Sequence, residues 1–181
     1  MAKPIRNTLN LDTPSWGLAD ARCAAAQIIT DPQLLKPLLR AFFSGYSALR
    51  HRAADTGRRI AEKQPDLLSP YAEQLLGLFS EIAPKEAGDN WRTRAHLGLI
   101  VARIAHSRAQ RLRAAGLLMP LYYDPSNVVR CTAVEGLGLL AHREPGLRTQ
   151  VQPLIEEALA TGTLAMQCRA RDALARLARK I

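Results

Sequence analysis

Aromatic residues make up only 5% of this 181-residue chain, and it has just 3 Cys. Strands draw on aromatic and β-branched side chains, so a chain that fills its apolar share with Ala and Leu is directed to helix. Three Cys without paired spacing exclude a disulfide framework and suit a reducing compartment. The longest apolar run, Leu97 to Ala102, is far short of the ~20 residues a membrane-spanning helix requires. The opening residues Met1-Ala2-Lys3-Pro4-Ile5-Arg6 lack the apolar stretch of a signal peptide. A cytoplasmic protein with no membrane partner is expected. No Walker loop, Rossmann glycine fingerprint, His-Glu-x-x-His pair or Cys-x-x-Cys pair occurs, so no catalytic residue, cofactor or metal is expected. Acidic residues are also scarce, 16 against 25 Lys and Arg, which leaves a net charge of +9 carried mostly by Arg. Nucleic acid, an anionic surface or an acidic protein are the partners such a balance suits.

What the chain does have is enough apolar material, 48% of its residues, for one well-buried core and one domain. It also repeats a phrase in which an Arg is followed three residues later by an Ala. The phrase reads Arg22-Cys23-Ala24-Ala25, Arg50-His51-Arg52-Ala53, Arg92-Thr93-Arg94-Ala95 and Arg130-Cys131-Thr132-Ala133, with Gln167-Cys168-Arg169-Ala170 as a variant. The register positions 22, 50, 92, 130 and 167 are separated by 28, 42, 38 and 37 residues. Between them lie second amphipathic stretches, Pro32 to Ser44, Pro65 to Ile82, Ser107 to Tyr123 and Pro145 to Thr161, bounded by turn residues. Recurring helix pairs of this length are the mark of a stacked solenoid. Pro120 and Pro153 fall inside expected helices and predict a kink or a helix start.

The stretch Asp124-Pro125-Ser126-Asn127-Val128-Val129-Arg130-Cys131-Thr132-Ala133-Val134-Glu135-Gly136-Leu137-Gly138-Leu139-Leu140 resembles the second-helix signature of HEAT repeats. That resemblance implies an all-α, right-handed α-solenoid of four to five stacked hairpins over residues 16–181; residues 1–15 read separately as an N-terminal extended segment, one candidate to dock on it. The resemblance also implies that the second helices line the concave surface. It says nothing of function.

Counting from the register residue, positions −1, +3, +6, +7 and +10 form one helix face and should be core. Gly57, Gly98 and Gly136 fall in that stripe, where close helix approach would offset their poor helix propensity. The opposite positions +1, +5, +8 and +12 should face outward. In the third copy that outward face is apolar, with Leu97, Ile100 and Ile104 where the second copy has Asp55, Arg58 and Glu62. Two covers are open: the N-terminal segment with Ile5, Leu9 and Leu11, or a partner helix or peptide. Arg52, Arg94 and Arg169 share position +2 and would edge the same surface, partly compensated by Asp55 and Asp172. Asp124 and Arg130 should pair within the scaffold. A second basic run, Arg103, Arg108, Arg111 and Arg113, surrounds the turn into the fourth hairpin.

The expected function is a non-catalytic scaffold or adaptor that binds a protein partner through Leu97, Ile100, Ile104, Arg52, Arg94 and Arg169. The alternative is nucleic-acid binding on the same Arg row. A base-excision enzyme is the third reading, because HEAT-like glycosylases work on a basic concave surface; it would use Asp89 beside Trp91, with Trp16 distant in sequence. Trp91, at −1, is expected to point inward.

Overall fold

Several of the connecting turns begin where a proline removes an amide that a helix start would leave unpaired anyway. Pro32, Pro65, Pro120 and Pro145 each open a short 3-10 turn. The structure, a computed structural model, describes residues 9, 11, 15–83 and 91–179. Among these residues it is entirely helical, with α1 Leu18–Thr30, α2 Leu35–Phe42, α3 Ser47–Lys63, α4 Ala72–Ile82, α5 Trp91–Ile104, α6 Arg108–Leu118, α7 Asn127–Arg143, α8 Arg148–Thr161 and α9 Leu164–Leu177. No helix among the described residues is long and apolar enough to cross a membrane. Pro120 thus starts a turn, whereas Pro153 lies inside α8.

Side-chain caps fix several boundaries. Ser107 Oγ accepts from the Gln110 amide at 3.1 Å, and Gln110 Oε1 accepts from the Ser107 amide at 3.2 Å, closing a capping box on α6. Thr163 Oγ1 accepts from the Met166 amide at the start of α9. At the other end of α5, the Arg143 guanidinium of α7 donates to the carbonyls of Arg103 at 2.9 Å and Ala105 at 2.7 Å. Those carbonyls have no amide ahead of them in the helix, so a neighbouring helix supplies the donor.

The odd-numbered helices pack in chain order, α1 on α3, α3 on α5, α5 on α7 and α7 on α9. The even-numbered helices back them, α2 on α3, α4 on α5, α6 on α7 and α8 on α9. The repeated Ala is what lets the odd helices approach: Ala25, Ala53, Ala95, Ala133 and Ala170 are all buried, none more than 2% exposed. Two glycines allow closer contact still. A Cβ on Gly57 would stand 2.6 Å from the Phe42 ring and 3.2 Å from Ile100 Cδ1, and one on Gly138 would stand 2.5 Å from Ala173 Cβ. The repeat register places Gly138 on the outward face, at +8; it is buried between α7 and α9 instead.

Ahead of α1, Leu9 and Leu11 are buried with the core, and Arg52 of α3 donates to the Leu11 carbonyl at 2.6 Å. Ile5 lies outside the described residues.

Candidate binding groove

The apolar surface expected on the third copy is interior. Leu97, Ile100 and Ile104 are each 0% exposed. The reason is the position of α5, which lies between α3 and α7 and is backed by α4 and α6, so neighbours cover it on nearly every side. Ile100 packs on α3 at Gly57. What α5 turns outward is one residue out of phase with the repeat register: Arg92 is exposed, and His96 and Arg103 are half-buried, while Thr93 at +1 is buried.

The expected row of Arg52, Arg94 and Arg169 also dissolves, because each guanidinium has a separate task. Arg52 holds the Leu11 carbonyl and lies 5.8 Å above the Trp16 ring centre. Arg94 is fully buried and donates to Asp124 at 2.9 Å, so Asp124 pairs with Arg94 and not with Arg130. Arg130 instead donates to Asn127. Arg169 is partly exposed and pairs with Glu135 at 3.4 Å, an acid that Arg103 also engages at 2.8 Å. The second basic run is compensated as well: Arg108 and Arg111 meet Glu144, and Arg113 meets Glu73. Cys23, Cys131 and Cys168 are free thiols, and the described residues contain no cluster of three His, Cys, Asp or Glu able to hold a metal.

A different set of residues converges. Trp16, just before α1, and Trp91, the first residue of α5, line one groove of about 400 Å³ at the N-terminal ends of α1, α5 and α7 and the second to fourth turns of α3. Trp91 is half-buried: it packs against the core, as its −1 position predicts, and also lines the groove. His51 and Asp55 are one helical turn apart on α3, which puts both on the groove side, and His96 of α5 stands opposite. The two imidazoles stack with centroids 5.6 Å apart and planes inclined by 26°. Asp55 Oδ1 accepts from Arg59 at 3.2 Å, and His96 Nε2 stands 3.9 Å from the same oxygen, beyond hydrogen-bond reach. Arg58 pairs with Glu62 at 2.8 Å. Arg92, exposed at the mouth, lies 5.0 Å above the Trp91 ring centre.

Burial keeps both histidines neutral at physiological pH. It lowers the His51 pKa, with Arg92 acting in the same sense and Asp55 opposing. It lowers His96 to about 4, against the opposing pull of Asp55 and with help from Arg58, His51 and Arg59. The Nδ1 atoms of both rings and the Trp16 indole nitrogen are buried and have no hydrogen-bond partner among the described residues.

Of these residues, His51 and Asp55 share the outward columns +1 and +5 of the repeat register, Trp91 falls at −1, Trp16 precedes the first copy, and His96 carries no signal in its column. The pointer is the His-x-x-x-Asp spacing on α3 together with a Trp opening α5. Asp89 lies outside the described residues.

No protein-family model matches the chain, and no curated protein matches it.

Proposed function

We propose that the chain is a HEAT-like, right-handed solenoid that binds nucleic acid on its odd-helix side, with the groove between Trp16 and Trp91 as the centre of the contact. The observation that carries this is the convergence of both tryptophans of the chain with Arg58, Arg59, Arg92 and two neutral imidazoles in one cavity. Indole faces and guanidiniums are the groups that hold bases and phosphates, and the partial positive charge of the α1, α5 and α7 N-termini adds to the attraction. The net charge of +9 supplies long-range steering toward a polyanion. The order of packing along the odd helices supports the solenoid. Binding without catalysis is the function proposed, since Asp55, the one carboxylate lining the groove among the described residues, is engaged by Arg59.

The test is affinity for short DNA and RNA strands as a function of salt. Binding should weaken steeply as salt rises, and Arg92→Ala should reduce the slope of log K against log salt by about 0.7, the value for one phosphate neutralised on a single strand. No binding at low salt, or an unchanged slope in the variant, would overturn the proposal.

A protein partner keeps support from a second observation. Leu18, Tyr46, Val128 and Leu164, each at or next to the start of an odd helix, are 53%, 80%, 47% and 79% exposed. Capture of a partner that survives nuclease treatment and is abolished by Leu164→Asp would favour this reading.

A further inference from the structure

We infer that the groove takes one unstacked nucleotide with its base inward and its phosphate at the rim, so that the protein selects single-stranded over duplex nucleic acid. The inference rests on the nucleic-acid reading above and adds the form of the ligand. A volume of about 400 Å³ is at the small end of ligand cavities and suits a single ring system with its sugar. The polarity of the bound unit follows from where the charges lie. The Asp55 carboxylate belongs to the floor, 8% exposed, and would repel a phosphate placed beside it. Arg92 stands exposed at the mouth, where a backbone phosphate can reach it without losing its own hydration. A neutral, planar base therefore suits the interior and an anionic group suits the rim.

The imidazoles within point the same way: both are neutral, so they add no fixed charge beside a base. In a duplex the base faces are already stacked, so the indoles cannot engage them. A single strand presents those faces.

The experiment measures the affinity of the whole chain for three labelled probes at one low salt concentration: a mixed-sequence single strand, the same strand annealed to its complement, and the same strand with abasic sites throughout. The single strand should bind roughly tenfold or more tightly than either of the others, the gain expected from stacking a base on an aromatic side chain. Trp91→Leu keeps an apolar body but removes the ring, and should bring the single strand down to the affinity of the abasic strand. If that variant does not fold, Trp91→Phe should lower single-strand affinity while leaving abasic-strand affinity unchanged. Duplex binding as tight as single-strand binding, or equal affinity for the abasic strand, would overturn the inference and leave nucleic-acid binding intact. Binding of none of the three would remove both.

Discussion

Two glycine-to-alanine substitutions separate helix propensity from close packing between odd helices. Gly116 lies in α6 with nothing within 4 Å of an added Cβ, and it is exposed. Gly116→Ala should therefore gain about 1 kcal/mol from propensity alone. Gly138 lies in α7, and an added Cβ would stand 2.5 Å from Ala173 Cβ and 3.2 Å from Ala173 Cα. The shorter approach is about 1 Å too close for two carbons. Its obstacle is the body of α9 and not the end of a flexible side chain, so the helices must separate. Overpacking of this kind costs about 1–3 kcal/mol. Both variants share the propensity gain, so the difference between them isolates the clash. For a chain of this length ~1 kcal/mol shifts Tm by about 2–4 °C. Gly138→Ala should accordingly melt roughly 2–12 °C below Gly116→Ala in the same thermal scan. Equal melting temperatures, or a higher value for Gly138→Ala, would refute the α7–α9 contact.

The His96 imidazole predicts a specific dependence of stability on pH. Its pKa in the folded chain is about 4 against 6.5 for the free side chain, so between these values the unfolded chain binds the extra proton. The contribution is fully present above 6.5 and is lost as pH falls toward 4, with a ceiling of about 3 kcal/mol from the shift. Among the described residues, His51, Asp55, Arg58 and Arg59 of α3 are the charged and titratable groups that act on it, and Arg92 of α5 lines the same groove. Denaturant unfolding of His96→Gln should show a shallower loss of stability across that interval than the parent; identical curves would contradict the assignment. Leu97→Asp should unfold the protein outright, because it places a carboxylate at a site that is 0% exposed. A folded Leu97→Asp protein by circular dichroism would mean that the α5 face is not core.

Much of the helical architecture is legible in the sequence because it rests on local rules. The Ala at +3 marks the face where odd helices touch, Pro32, Pro65 and Pro145 mark the turns into α2, α4 and α8, and Ser107 with Gln110 marks the cap of α6. The outward face is not legible where the chain departs from strict repetition. A column-by-column reading gives every odd helix the same outward columns, but α5 is covered by α3, α4, α6 and α7. Thr93, Leu97 and Ile100 in those columns are therefore buried, and Arg92 and His96 beside them reach the surface. The same cover leaves Arg94 in the interior, where it meets Asp124, a pairing between α5 and the turn before α7 that no i, i+4 rule contains. The groove is hidden for the same reason. Trp16 and Trp91 meet only because α1, α3 and α5 pack side by side, and that proximity is a property of the assembled helices.

Both tryptophans of the chain line the groove, so intrinsic tryptophan emission reports directly on its occupancy. Titrating the protein with an unlabelled single-stranded oligonucleotide should quench that emission saturably, with the same midpoint as the binding curve of the labelled strand. Trp16→Phe and Trp91→Phe should each remove part of the signal. Tight binding of the strand with no change in tryptophan emission would contradict the account, because the contact would then lie elsewhere on the molecule.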